Sequence, residues 1–190
     1  MEMKIFLILE TALYGTFFLL GRQIGIFLKY VSILLCAVYA RPGERRVALA
    51  LAFTVLADLF LLVLGNYLEL GVALFIAVQA LYARHVGRET RVTLCLRAVL
   101  TLAFWGVLLW LDLCTPLNLL AGVYFPQLLC NAALAWKRDR VLALGLTLFI
   151  GCDVCVGLWN LFGIAGAGMW AFYLPSQVLI ALHGRKAPGD

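Results

Sequence analysis

Apolar residues run along this chain in blocks of about 17–25, the length a helix needs to cross a hydrocarbon core of ~30 Å. The blocks lie near 3–21, 24–40, 46–65, 68–84, 92–112, 115–136, 140–160 and 164–183. They predict an all-α polytopic membrane bundle of eight transmembrane helices. Polar clusters punctuate the blocks unevenly. "RPGERR" at 41–46, "ARHVGRETR" at 83–91, "KRDR" at 137–140 and "GRK" at 184–186 follow every second block, whereas "NYLE", "CTPLN" and "FGIAGAG" carry no Lys or Arg. With eight crossings the basic clusters and Lys4 share one side, and only Arg22 breaks the asymmetry. An odd number would scatter them over both faces. The bias predicts a multi-pass integral membrane protein with both termini cytoplasmic.

Composition agrees with that class. Sixty-five per cent hydrophobic residues, 13% charged residues and a mean hydropathy of +1.02 leave too little polar surface to cover a soluble domain. The net charge of +5 lies in loop clusters rather than along one face, so the expected partner is the lipid bilayer and not nucleic acid. The stretch "MEMKIFLILETALYGTFFLLG" is expected to be the first span, not a signal peptide, because it contains Glu10, lacks a small-residue cleavage site and keeps the charge pattern in phase. No linker or second domain is visible, so residues 1–190 are expected to form a single integral-membrane domain.

The six cysteines sit in or at the ends of the apolar blocks, without the spacing of a disulfide framework. Cys152 and Cys155 form a C-x-x-C, but two thiols without a second pair or a nearby histidine are too few for a metal site, and no cofactor is expected. His85 and His183 stand at the basic ends of their blocks as ordinary interface residues.

Two carboxylates interrupt the apolar pattern. Asp58 lies within "LAFTVLADLFLLVLGN" and Asp153 within "LTLFIGCDVCVGLWN". An ionised group near the bilayer centre costs roughly 2.5–3.5 kcal/mol even on lenient insertion scales, so such residues face a bundle interior and mark function. The two are 95 positions apart, each is followed by an asparagine (Asn66, Asn160), and the next block in each half carries a glutamine, Gln79 or Gln177. This spacing predicts two parallel four-helix pseudo-repeats, approximately 1–91 and 92–190. Asp58 is 12 residues beyond Arg46 and Asp153 is 13 beyond Arg140, so both are expected roughly 18–20 Å from the basic edge. Lys29, 12 residues before Arg41, is expected at similar depth. An Asp/Asp/Lys cluster can keep one carboxyl protonated beside an ionised partner, which suits acid–base chemistry. An interhelical ion pair that fixes packing is the alternative. Glu10 and Arg97 are a second candidate pair, read as structural.

The third and fourth blocks, "FTVLADLFLLVLGNYLELGVALFIAVQALY", resemble the YhhN-type membrane family that includes lysoplasmalogenases, with its Gly-Asp helix followed by a His-x-x-Tyr helix. "LFIGCDVCVGLWN" and "FYLPSQVLIAL" resemble its Ser-Asp and Tyr-x-x-x-Gln helices, Lys29 its lysine in the second span, and Tyr124 in "AGVYFPQLL" its Val-Tyr. Ala57, Cys152, Gln79 and Tyr30 stand where the family has glycine, serine, histidine and proline. The resemblance implies hydrolysis of the vinyl-ether bond of a lysophospholipid substrate to a fatty aldehyde and a glycerophospho-alcohol. It implies Asp58 and Asp153 as catalytic groups, with Lys29, Gln79, Tyr82, Tyr124, Tyr173 and Gln177 binding or orienting substrate; Asn160, from the half-chain spacing, is expected to join them. The rival expectation is a small proton-coupled transporter or lipid-handling protein that uses the same Asp/Asp/Lys cluster.

Overall fold

The computed structural model describes residues 1–19, 22–87, 90–164 and 166–185. Arg88, Glu89 and Lys186 of the basic clusters lie outside the described residues. Eight α-helices follow in order: α1 Met3–Leu19, α2 Arg22–Ala40, α3 Arg45–Asp58, α4 Leu68–Val86, α5 Arg91–Trp110, α6 Pro116–Ala135, α7 Arg140–Phe162 and α8 Gly166–Arg185. A π-helical segment, Leu59–Leu64, continues α3.

Local chemistry sets several of these limits. Thr90 caps α5 and shares a capping box with Thr93, Thr115 accepts from the Asn118 amide ahead of Pro116 in α6, and Asp139 accepts from Val141 and Leu142 at the start of α7. Each hydroxyl or carboxylate satisfies an amide that the first turn leaves unpaired. Gly65 (φ 67°) and Gly163 (φ 71°) end the π segment and α7 in the left-handed conformation that a Cβ disfavours.

Six helices form a ring, in the order α2, α3, α4, α6, α7, α8 and back to α2, and α3 also touches α8. Outside it, α1 leans mainly on α2 and α5 leans on α6. Trp105 fixes α5 by donating its indole N–H to the Leu119 carbonyl at 3.0 Å, with its ring against Gly122. At the basic end, the Glu44 amide donates to the Gly184 carbonyl at 2.7 Å, an approach that leaves no room for a Cβ on Gly43.

The surface is that of a chain dissolved in lipid. Large apolar side chains such as Leu19, Trp110 and Val92 are mostly exposed, while Glu10, Lys29, Asp58, Gln79, Arg97, Asn131 and Gln177 are buried. Five helical segments among the described residues are long and apolar enough to cross a membrane: Arg45–Leu64, Leu68–Val86, Arg91–Trp110, Pro116–Ala135 and Arg140–Phe162. Gly25–Ala40 is apolar but shorter. The protein is therefore an all-helical, multi-pass membrane bundle. All eight helices occupy the expected blocks, and five of them meet the crossing criterion.

Candidate active site

Asp58 is the last residue of α3, where the chain widens into the π segment. Such segments are rare and recur at functional sites. Its side chain is buried, and the Tyr173 hydroxyl of α8 donates to its Oδ2 at 2.5 Å. Asp153, half-buried in α7, accepts from the Tyr124 hydroxyl of α6 at 2.6 Å. The two sites are built alike. Each carboxylate takes a short hydrogen bond from a tyrosine on another helix, and each tyrosine stands two residues before an in-helix proline, Pro126 or Pro175. Proline removes one i→i−4 hydrogen bond and crowds the turn before it, which is the turn that carries the tyrosine.

Phe149 ties the two pairs together. Its ring centroid is 5.4 Å from that of Tyr173 and 6.4 Å from that of Tyr124, and Phe75 closes the group at 5.6 Å from Phe149 and 5.7 Å from Tyr124. Cys152 lies within electrostatic range of both carboxylates. The pairs thus share one aromatic enclosure, where low local polarity strengthens each hydrogen bond and makes an unmet one expensive.

Lys29 stands on the Tyr173 side of this enclosure. Its ammonium lies 3.5 Å from the centroid of the Trp170 ring and 4.4 Å from that of Phe17, and Trp170 in turn meets Tyr173 edge-on at 5.9 Å. Two aromatic faces hold the cation by attraction to their π-electrons.

Gln79, Tyr82 and Gln177 are fully buried, and each keeps a polar atom without a hydrogen-bond partner: Nε2 of Gln79, the Tyr82 hydroxyl and Oε1 of Gln177. Buried polar atoms are normally satisfied, and these three on α4 and α8 make no hydrogen bond within the protein. Asn160 differs. It is exposed, seven residues beyond Asp153 and so roughly 10 Å further along α7.

The Glu10–Arg97 pair expected from sequence does not form. Glu10 accepts from the Ser32 hydroxyl at 2.5 Å and the Cys36 thiol at 3.5 Å, while Arg97 donates to Gln127 Oε1 at 2.8 Å and Asn131 Oδ1 at 2.7 Å. Their helices belong to different neighbourhoods, α1 against α2 and α5 against α6. The histidines are also more than isolated interface residues. His85 and His183 meet through their Nε2 atoms at 2.7 Å, with Glu44 3.7 Å from one Nδ1 and Asp139 3.2 Å from the other. Their spacing of 98 positions, close to the 95 that separates Glu44 from Asp139, was the available signal. No group of three or more His, Cys, Asp or Glu among the described residues is arranged to hold a metal ion.

Gln79 gives a direct test of the orphaned donors. Its Oε1 accepts from Asn131 Nδ2 at 2.9 Å, so one end of the amide locks a network and the other is open. Gln79→His keeps ring nitrogens for both tasks and is expected to retain turnover. Gln79→Leu removes both and is expected to lower turnover about tenfold or more, with about 1–3 kcal/mol lost in stability from the orphaned Asn131. Undiminished turnover in the leucine variant would remove Gln79 from the site.

No curated protein and no solved structure matches this chain. A sequence model described as the YhhN family matches residues 24–183, a stretch that includes α3, α4, α5, α6 and α7 whole and every Asp and Tyr of the two pairs. With most of its length matched, including the residues that build the enclosure, the chain belongs to the YhhN family.

Proposed function

We propose that this protein is a membrane-embedded hydrolase that cleaves the vinyl-ether bond of lysoplasmalogens. The observation that carries the reading is the pair of Asp–Tyr couples, one buried and one half-buried, joined by one aromatic enclosure. Family membership supports a membrane hydrolase in general terms. The chemistry asks for little more. A carboxylic acid gives its proton to the β-carbon of the vinyl ether, leaving an oxocarbenium ion at the α-carbon. Water adds there and passes a proton to the other aspartate, now a carboxylate base. The hemiacetal collapses to a fatty aldehyde and the glycerol hydroxyl, and proton return between the carboxyls resets the pair.

Two carboxyls fit this sequence because one must start protonated and the other ionised, and the ionised one stabilises the cation as it forms. The tyrosine hydroxyls hold each carboxyl in one rotamer, and the π-faces around them favour a passing cation. Gln79, Tyr82 and Gln177 offer open hydrogen-bonding atoms for water or the glycerol portion.

The test is incubation of the purified protein with a lysoplasmalogen and with its saturated alkyl-ether analogue. Aldehyde from the first alone supports the hydrolase. Silence on both, with proton-coupled solute movement in liposomes, overturns it in favour of the transporter reading.

The membrane orientation belongs to the same proposal. The clusters around Arg41, Arg84, Arg138 and Arg185 argue for eight crossings with both termini cytoplasmic. Cysteine-accessibility mapping is expected to report positions 43, 88, 138 and 187 on the cytoplasmic side and positions 67 and 162 on the other. Finding 88 and 138 on opposite faces would exclude the eight-span arrangement.

A further inference from the structure

A groove of about 410 Å³ lies between α2 and α3, near the basic end of the bundle. Its volume falls within the range of small-molecule sites. The lining includes Ala37, Ala48 and Ala52, which end at Cβ, together with Val38 and Leu49, whose apolar side chains are exposed. The groove therefore opens sideways to lipid. The connection from Arg41 to Glu44 is held toward α8 instead, because the Glu44 amide donates to the Gly184 carbonyl at 2.7 Å.

Polarity changes along the groove as it does along a lipid. Arg41 and Arg45 line its basic end, whereas Ala52 stands seven residues beyond Arg45, roughly 10 Å deeper along α3. Arg45 is the first residue of a segment long and apolar enough to cross a membrane, which puts the two guanidiniums at the level of headgroups and the alanines at the level of chains.

Other arginines at this edge are committed. Arg46 donates to the Arg84 carbonyl at 2.6 Å and Arg185 to the Tyr39 carbonyl at 3.5 Å. The guanidiniums of Arg41 and Arg45 make no hydrogen bond or ion pair among the described residues. The single carboxylate of the connection is engaged elsewhere, since Glu44 Oε1 stands 3.7 Å from His85 Nδ1. Two cations thus share a lipid-facing groove without a protein carboxylate paired to either. Basic pockets between membrane helices suit anionic headgroups, and a guanidinium offers two parallel donors to a phosphate.

We propose that the α2–α3 groove binds an anionic two-chain phospholipid, its phosphate between Arg41 and Arg45 and one acyl chain along Ala37, Ala48 and Ala52. The occupant is anionic because neither cation has a counter-charge in the protein, and it is a lipid because the groove continues from headgroup depth into the hydrocarbon. Its second chain lies in the bilayer, to which the groove is open. Asp58, six residues beyond Ala52, is buried on the inner side of the same helix, so the inference stands apart from the hydrolase reading.

The experiment uses the full chain in a maltoside detergent with radiolabelled dioleoyl phosphatidylglycerol. Saturable binding is expected. Unlabelled phosphatidylglycerol should displace the probe, phosphatidylcholine and single-chain lysophosphatidylcholine should do so at least tenfold less well, and inorganic phosphate should not. Arg41→Gln and Arg45→Gln should each weaken binding about fivefold or more, the scale of one basic residue at an anionic surface. Ala48→Leu and Ala52→Trp, which fill the groove and leave both charges in place, should weaken it as much. Arg91→Gln removes an equal charge from the start of α5, outside the lining, and should leave binding unchanged. Melting temperatures without added lipid establish that each variant is folded. Wild-type affinity in both arginine variants or in both filled variants would overturn the site, as would equal displacement by phosphatidylcholine, which marks a general lipid coat. Displacement by inorganic phosphate would overturn the lipid in favour of an aqueous anion. A dimer that is lost in Ala52→Trp, with no saturable lipid, would assign the groove to a second copy of the chain. Aldehyde release has no part in these readings, so their failure leaves the hydrolase untouched.

Discussion

Asp58→Asn and Asp153→Asn are each expected to reduce vinyl-ether hydrolysis by on the order of 10²-fold or more, the scale of losing a positioned acid or base. Asparagine is the informative replacement because the structure gives each carboxylate one defined partner. The Tyr173 and Tyr124 hydroxyls donate to Asp58 and Asp153, and an amide oxygen accepts the same bond. Packing in the Phe75–Phe149 enclosure is therefore kept, and the detergent melting temperature should move little. What disappears is the proton that one carboxyl must give and the charge that the other must carry. In the proposed mechanism the two act on one substrate in one turnover, so the double variant should be little worse than the worse single variant. A transporter that uses the aspartates would also fail in these variants, so the assay has to be aldehyde release rather than uptake. Full activity in either single variant would refute the paired mechanism.

The bundle was legible because its signal is repeated: eight apolar blocks, with basic clusters after every second one, correspond to eight helices whose ends differ from the expected ones by a few residues. Asp58 and Asp153 stood out for a related reason, since a carboxylate in an apolar helix must find a polar partner or face the bundle interior, and each does meet a tyrosine hydroxyl from another helix. Their partners were harder to find. Tyr124 and Tyr173 entered as family resemblances, although the Tyr-x-Pro that each begins was present in the sequence. Phe149 was invisible because one phenylalanine among 12 carries no mark of its neighbours. Polar pairing across helices was also misjudged. Depth alone made Glu10 and Arg97 look like a pair, but depth says nothing about which helices adjoin, and α1 and α5 sit against different members of the ring.

The neighbour relations bear on the repeat. In each half the first helix lies outside the ring against the second, the second adjoins the third, the third adjoins the fourth, and the fourth adjoins the second helix of the other half. We infer from this order that the halves are counterparts. The spacing is 95 for Glu44 to Asp139 and for Asp58 to Asp153, then 98 for Gly65 to Gly163 and for His85 to His183. The register changes just after the aspartates, where the first half holds its π segment and α7 continues as regular helix.

Gly145→Val is expected to cost both stability and turnover, through the contact that holds the two halves of the site in register. α7 and α8 are the most extensively packed pair in the bundle, and at Gly145 α7 lies close against the α8 backbone. A Cβ there would stand 2.8 Å from Ile180 Cγ1, 3.2 Å from the Ser176 carbonyl oxygen and 3.3 Å from the Ile180 amide nitrogen. Small residues at membrane helix interfaces permit such an approach, and lipid offers little hydrophobic drive to restore it once lost. Ile180 can shift its side chain; the backbone at Ser176 cannot move without carrying α8 with it. Ser176 is bonded to the Tyr173 carbonyl, so displacement of this turn is transmitted to the hydroxyl on Asp58. Overpacking of this kind costs about 1–3 kcal/mol, with alanine at the low end and valine at or above the high end. Thermal denaturation in detergent should rank wild type above Gly145→Ala above Gly145→Val, and turnover per folded molecule should fall in the same order. Gly157 on the same helix meets nothing within 4 Å of an added Cβ, so Gly157→Ala should match or slightly exceed wild-type stability. A Gly145→Val protein that melts with wild type and hydrolyses substrate normally would mean that α7 and α8 do not approach as closely as the site requires.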